Sequence, residues 1–478
     1  MNRNIDVLTR GAKLCITITM LGLALFASAA RSQTGATQPP SLTLEHSIEY
    51  ALAHYPAVRV ALERQAAASA EVSVAKTNYL PRADVLWQGN RTTHNNFFGL
   101  LLPQNVVPSI SGPVLPVSSN DNAWDSAAGV LVSWQPLDFG YRGALVNVAR
   151  AQHSATKAAT ALTRLDIAAA VASAFFNLVS AQHVAEGAQA DVERRQILAK
   201  SVHVLVDNQL RPGADASRAD AELAAARIRL IQGETAESIE KIAFADLLGI
   251  APDAVSIDAG LLLEAPPDRS SPNPPVASHP SALVQNAQTE VASARVHTLD
   301  RSYYPRFYLQ SSVSGRGTGV NTDGTLQGGA SGLDLQRENW AVGLTVTFPL
   351  MDIFSIRAQK QVASAQLNAE KARYQQTVQD LTSQIEQARA GADGARRVAQ
   401  NTPAELQAAR DTEKQARARY EAGLASIVEV ADAQGLLVQA ETGDLIAKVN
   451  AWSGLASVAV AQGDLASFLD LLRPAGGH

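Results

Sequence analysis

The chain has 478 residues, a formal net charge of −5, 46% hydrophobic residues, 18% charged residues and a single cysteine. A mildly acidic chain is a poor nucleic-acid partner, and one cysteine cannot build a disulfide framework. Length alone would allow two or three globular domains.

Residues 1–30 carry Arg3, Arg10 and Lys13, then an apolar run from Leu14 to Ala27, and end in Ala27-Ser28-Ala29-Ala30. A basic start, a short apolar core and a small-residue site read as a secretory signal peptide, too short to be a membrane anchor. Cys15 lies inside this segment, so the exported chain is expected to have no thiol and no lipid-anchor cysteine. Removing the leader, with its three cations and one anion, moves the formal charge to −7. Beyond residue 30 no stretch reaches ~18 consecutive apolar residues, so no transmembrane helix is expected.

The remainder repeats itself. His54-Tyr55-Pro56-Ala57-Val58 returns as His279-Pro280-Ser281-Ala282-Leu283, and Tyr79-Leu80-Pro81-Arg82 as Tyr303-Tyr304-Pro305-Arg306. Pro56 and Pro280, like Pro81 and Pro305, are 224 residues apart. Trp134-Gln135-Pro136-Leu137-Asp138 returns as Phe348-Pro349-Leu350-Met351-Asp352, and Arg211-Pro212-Gly213 is matched with Glu421-Ala422-Gly423. The first repeat then covers residues 31–250, a proline-rich linker 251–277, and the second repeat 278–478. Such units are far longer than the ~20–50 residues of a solenoid repeat.

In chain order, each repeat first offers two segments of period 2. Ala83, Val85 and Trp87 alternate with Asp84 and Gln88, and Ala128, Val130, Val132 and Trp134 alternate with Gly129, Ser133 and Gln135. In the second repeat Phe307, Leu309 and Val313 alternate with polar residues, as do Trp340, Val342, Leu344, Val346 and Phe348. These predict strands at about 82–92, 126–135, 306–314 and 339–348, each with one apolar face. About ten residues is the length a tilted strand needs to cross a bilayer, and the tryptophans sit near strand ends as an interfacial girdle would require. Four strands cannot close a barrel, since the smallest have ~8, so more than one chain must contribute. The connections 93–122 and 316–338 are rich in Gly, Ser, Asn and Pro and read as external loops.

Long helical runs follow the strands. Tyr141 to Leu210 has no proline and only two glycines, Gly143 and Gly187. Its apolar positions Leu165, Ala169, Ala172, Phe176 and Val179 step by 4 and 3, and Tyr374, Val378, Leu381, Ile385 and Ala388 repeat the pattern, giving amphipathic rods of ~105 Å. Returning rods are predicted at 217–248 and 426–469, completing a helical hairpin in each repeat. Pro403 is expected to kink or interrupt the longer rod.

No catalytic set is legible. The nine histidines form no His-x3-His pair, and there is no His-Glu-x-x-His, no P-loop and no Gly-x-Ser-x-Gly elbow, so neither metal, cofactor nor enzyme chemistry is expected.

Strand pairs leading into ~70-residue helices, duplicated behind a secretion signal, resemble the TolC-like outer membrane efflux family over about residues 41–470. The residues that carry the likeness are Leu42-Thr43-Leu44-Glu45, Ala51-Leu52, His54-Tyr55-Pro56, Tyr79-Leu80-Pro81, Gln135-Pro136-Leu137, Arg419-Tyr420-Glu421-Ala422-Gly423 and Asp432-Ala433-Gln434. The resemblance implies an α+β membrane protein: a homotrimer whose chains jointly build a twelve-stranded outer-membrane β-barrel, continued by a periplasmic α-helical barrel. Pro81, Pro136, Pro305 and Pro349 would mark barrel entry and exit, and Gly213 and Gly423 the tip turns. By the same likeness Tyr420, Glu429 and Asp432 form a periplasmic gate, with Asp215 and Asp220 as further candidates on the first tip. Where relatives often carry a basic residue that ties the closed tip, this chain has Ala425, which leaves Arg211, Arg417 or Arg419 to replace it.

The implied function is passive export from a Gram-negative periplasm, coupled to a periplasmic adaptor (membrane fusion) protein and an inner-membrane transporter of RND, ABC or MFS type. The nearest alternative is the exit duct of a type I protein secretion system. A non-conducting coiled-coil envelope scaffold is the alternative of another class.

Overall fold

The structure, a computed structural model, describes residues 42–93, 120–267, 274–321, 323 and 325–472. The expected signal peptide at 1–30, most of the 93–122 connection and part of the linker lie outside the described residues.

Helix α1 (Leu44–His54) begins where the Thr43 hydroxyl accepts the His46 N–H, and it ends at Tyr55, directly before Pro56. A residue before proline is steered out of the helical region, while proline itself suits the first turn of a helix, and Pro56 starts α2 (Pro56–Thr77). In the second repeat Pro280 starts α5 (Pro280–Arg301), with the His279 ring as its cap.

The strands β1 (Arg82–Thr93), β2 (Asn122–Leu137), β3 (Arg306–Thr318) and β4 (Arg337–Thr347) form one antiparallel sheet in the order β1-β2-β3-β4. All four extend beyond the predicted outer ends, β1 by one residue and the others by two to four. Pro81 and Pro305 directly precede β1 and β3, and Pro349 follows β4. Pro136 instead lies inside β2, and the β2–β3 ladder shifts register between Trp134 and Leu137, as expected where a residue lacks its N–H.

The register aligns the predicted apolar positions on one face. Val85, Val130, Val313 and Trp340 form a continuous row across all four strands, flanked by Ala83, Val132, Ser311 and Val342. Val85 is 81% exposed, Trp87 74%, Trp340 78% and Leu344 65%, so none of the described residues covers the face. Apart from the buried Leu131, the named rows of the other face are polar or small: Asp84, Leu131, Ser312 and Ala341, then Gln88, Ala127, Arg316 and Arg337.

From the sheet run α3 (Tyr141–Asp207) and α6 (Asp352–Glu421), of 67 and 70 residues, or ~100 and ~105 Å at ~1.5 Å per residue. They return as α4 (Gly213–Leu248) and α7 (Ile427–Gln462). Beside the sheet α2, α3, α5 and α6 lie side by side, while towards the tips α4, α3, α7 and α6 do so.

Two expectations for the rods need correction. The last rod stops at Gln462, because Gly463 takes a left-handed conformation (φ 79°) and a Cβ there would lie 2.6 Å from Pro280 Cδ. A short α8 (Ala466–Leu472) follows. Pro403 does not interrupt α6. The carbonyl of Ala399 that loses its backbone donor is approached by the Thr402 hydroxyl at 3.4 Å, and that hydroxyl is also 2.7 Å from Asp444 on α7.

The largest core lies midway, where Phe175, Phe176 and Val179 of α3 meet Phe244 of α4, Trp452 of α7 and Phe468 of α8. Phe175 packs edge-on to Phe244, and Phe468 edge-on to both Phe176 and Trp452. This core explains why α3 contains an 18-residue window of mean hydropathy 1.4, enough by length and composition for a membrane span. Its apolar side packs on neighbouring helices instead.

At the junction of sheet and helix a buried ion pair fixes the exit angle of α3. Asp138 accepts from the Gly140 and Arg142 N–H groups and from Arg142 Nε at 2.7 Å. Arg142 in turn donates to the Asn78 carbonyl and stacks 4.8 Å over the Tyr79 ring. Burial pushes the Asp138 carboxyl pKa up, but the bonds from Arg142 and Gly140 outweigh it and hold the group below the usual carboxylate value. A depressed folded pKa gives stability that is present above the unfolded value and lost as pH falls through the folded one. Asp138→Ala should therefore destabilise the fold by about 3–5 kcal/mol at pH 7, by leaving Arg142 buried and unpaired. The gap to wild type in thermal melts should narrow on acidification below the carboxylate range; equal midpoints at pH 7 would remove the clamp from the account.

Candidate functional site: the two hairpin tips

Each long helix ends in the same backbone device. In the second hairpin the Gly423 N–H bonds to the Tyr420 carbonyl and the Leu424 N–H to the Arg419 carbonyl, with Gly423 left-handed (φ 74°). In the first hairpin the Gln209 N–H bonds to Val206 O and the Leu210 N–H to Leu205 O, with Gln209 left-handed (φ 58°). These are matched 5→2 and 6→1 closures of a helix C-terminus. Gly213, expected as the first turn residue, is instead the first residue of α4 and lies outside the left-handed region. The structural counterpart of Gly423 is Gln209, so Arg211 corresponds to Ala425 and Pro212 to Ser426, the caps of α4 and α7.

Arg211 then bridges the hairpins. Its Nη2 donates to the Tyr420 carbonyl at 2.6 Å and its guanidinium lies 4.4 Å from the Tyr420 ring centre. Tyr420 is 4% exposed and sits among Val202, Ala216, Ala219, Ala425, Ile427 and Val430, drawn from α3, α4 and the second tip. Its hydroxyl is buried and has no hydrogen-bond partner. Burial raises its pKa first, the Asp215 charge adds to that, and Arg211 opposes. What ties the tips within this chain is thus the tyrosine's ring and carbonyl rather than its hydroxyl.

The candidate acids are spread around this junction. Glu429, exposed on the first turn of α7, lies 3.4 Å from Arg419 of its own hairpin. Asp432 is exposed one turn further on and lines a groove of about 900 Å³ between α3, α4 and α7. Asp215 lies in the first turn of α4, near enough for its charge to act on Tyr420. Asp220 pairs with His203 at 3.0 Å, and that bond, then the charge of Asp220, raises the histidine's pKa. Arg417 pairs with Glu413 along α6.

Sequence reading missed a buried ion set above the tips. Asp191, 1% exposed, takes both Arg195 and Arg229 at 2.9 Å, and Arg195 reaches Glu222 at 3.0 Å, riveting α3 to α4. Only the i, i+4 spacing of Asp191 and Arg195 was a local signal; Arg229 is distant in sequence. Gln434, within the Asp-Ala-Gln motif, is fully buried with neither amide atom bonded. Among the described residues no group of three or more His, Cys, Asp or Glu side chains is placed to hold a metal ion.

A sheet with one uncovered apolar face, continued by helices of ~100 Å that close at their far ends, defines a class of membrane-embedded proteins with an extended body outside the bilayer. The chain belongs to the outer membrane efflux protein family, whose profile matches residues 47–250 and 276–451. It lies in the Gram-negative outer membrane with its helical extension in the periplasm, and the family is one of channels rather than enzymes. Protein CyaE of Bordetella pertussis is 26% identical over 215 residues, which is 44% of this chain and only 40% of that protein.

The fold is shared with several solved outer-membrane proteins. VceC of Vibrio cholerae superposes with a TM-score of 0.69 at 20% identity, covering 88% of this chain and 96% of that one. CmeC of Campylobacter jejuni gives 0.70 at 16% identity, covering 92% of each chain. The open state of MtrE of Neisseria gonorrhoeae gives 0.70 at 20% identity, covering 88% and 89%.

The tip geometry separates two substitutions. Arg211→Ala removes a charge-assisted bond and a stacked cation, a loss of about 1.5–3 kcal/mol, and should speed amide exchange at both tips, 205–213 and 417–427, by about tenfold or more. Tyr420→Phe removes a hydroxyl that bonds nothing within the chain and should leave that exchange unchanged or slower. The reverse ranking in exchange measurements would show that the hydroxyl carries the closure.

Proposed function

We propose that the chain is the outer-membrane conduit of a tripartite export system, passively passing small molecules delivered by an inner-membrane pump of RND, ABC or MFS type through a periplasmic adaptor. The observation that carries this reading is the four-stranded sheet. Among the described residues its β1 and β4 edges are unpaired and its apolar face is open, a state that a bilayer tolerates only if further strands close the edges. Three copies would supply twelve strands and enclose the polar face. The edge helix α4 supports this, because Ile228, Ile231, Ile239 and Ile242 form a stripe 53–62% exposed that a neighbouring copy would cover. Residues 1–30 would act as the export signal and be removed.

The gate of this conduit is the tip region around Tyr420, closed by Arg211, with Glu429 and Asp432, and more weakly Asp215 and Asp220, presenting carboxylates to the pore. Threefold repetition turns each into a ring that attracts cations. Light scattering in detergent should give a trimer; a monomer that still conducts would overturn the assembly.

In planar bilayers, divalent or larger cations added from the periplasmic side should block the current. Glu429→Ala with Asp432→Ala should weaken that block and lower cation preference without changing trimer yield. Unchanged block and selectivity would mean that these acids face outward. A channel that passes small ions but supports only polypeptide export in reconstitution would favour the secretion duct over the efflux pump.

A further inference from the structure

The polar face of the sheet carries a charge arrangement that the tips do not explain. Arg316 and Arg337 stand directly opposite each other on β3 and β4, in the last rung of that ladder and in one row with Ala127 and Gln88. Like charges placed directly across an antiparallel pair repel and are normally avoided. Among the described residues neither guanidinium has an ion pair, a hydrogen bond or a ring beneath it. The other strand arginines are engaged: Arg82 with Asp84 at 3.0 Å, Arg91 with Asn122 at 2.6 Å and with the Trp124 ring, Arg306 over the Tyr141 ring at 4.4 Å.

The acids nearby do not neutralise the pair. Asp125 shares the face diagonally from Arg316 but is buried and engaged elsewhere, and Glu338 is paired with Gly315 on the apolar face. Asp323 is bonded by the Thr325 N–H and hydroxyl. Residues 94–119, which connect β1 to β2, contain no Asp or Glu at all. The pair also sits at the end of the strands farthest from the helices, so it belongs to the outer mouth.

We propose that Arg316 and Arg337 form an anion-binding site on the inner wall of the outer mouth, selective for multivalent oxyanions of the phosphate or sulfate type. Two adjacent guanidinium forks match tetrahedral oxyanions bidentately, and a bound anion relieves the repulsion that the empty pair carries. The apolar face lies on the opposite side of the sheet, so the ligand comes from the aqueous lumen and not from lipid. The site deepens the conduit reading: with three copies it becomes a ring of guanidiniums, opposite in sign to the acids at the periplasmic tips.

The test uses the full-length protein in phosphatidylcholine bilayers, with inorganic tripolyphosphate added to the outer side and, separately, calorimetric titration of tripolyphosphate into the protein in detergent. Wild type should be blocked and should bind. Arg316→Gln with Arg337→Gln should weaken both by about tenfold or more per arginine removed, and its thermal midpoint should rise because like charges have been removed. Arg82→Gln, at the other end of the strands, should change neither. Equal block and equal affinity in wild type and the double variant, or no binding in either, would overturn the site. Absence of any conductance together with retained, arginine-dependent binding would sink the conduit reading while leaving the site standing.

Discussion

At bilayer depth a backbone N–H has no water to bond, and the outer edges of β1 and β4 present rows of groups that the described residues leave unpaired. That constraint shapes everything attached to the sheet. It makes a single copy incomplete and gives the apolar row Val85, Val130, Val313 and Trp340 its meaning as a lipid face. It also requires each strand pair to leave the membrane at a fixed angle, because neighbouring copies must find one another along rods of ~100 Å. A few degrees of error at the junction would displace a tip by several ångströms. The Asp138–Arg142 pair, buried and bonded to both the preceding helix end and the following one, is placed where such an error would begin. The second repeat has Asp352 at the same position, but no arginine four residues on.

Much of this was legible because the periodicities are strong. Strand faces read from alternation agree with the register, and the long helices appear where apolar residues step by 4 and 3. The errors fall where backbone geometry does not follow residue type. Gly213 attracted the turn because glycine is the usual left-handed residue, yet Gln209 takes that conformation four residues earlier. Pro403 pointed to a kink or a break, but the helix is not interrupted: the Thr402 hydroxyl approaches the carbonyl that the proline leaves without a donor, and ties this turn to Asp444 on the next helix. The end of α7 at Gly463 was missed because the apolar pattern continues past it, and only the approach of His279 and Pro280 shows why a glycine stands there. Stability above the tips depends on Arg229, whose partner Asp191 is 38 residues away, a pairing that no local spacing encodes.

Correcting the register of the first tip changes how the second is understood. Matched by their C-terminal closures, Asn208 corresponds to Ala422 and Gln209 to Gly423, and Arg211 stands where the other hairpin has Ala425. The small residue at 425 is then no gap in the design. It is 8% exposed and packs beside the tyrosine, in space that a long cation would need, while the cation arrives from the opposite hairpin. The pseudo-twofold relation between the repeats allows this transposition, because a contact between two equivalent tips can be made from either side. The consequence is directional. Arg211 adds a second donor to the carbonyl of residue 420 in the last turn of α6, which already accepts the Gly423 N–H, and so it places a positive charge at the helix C-terminus as well as bridging the hairpins. Separating the tips would break the bridge and withdraw that charge from the end of α6 together, so a conformational change at one hairpin is coupled to the end of the other through a single side chain.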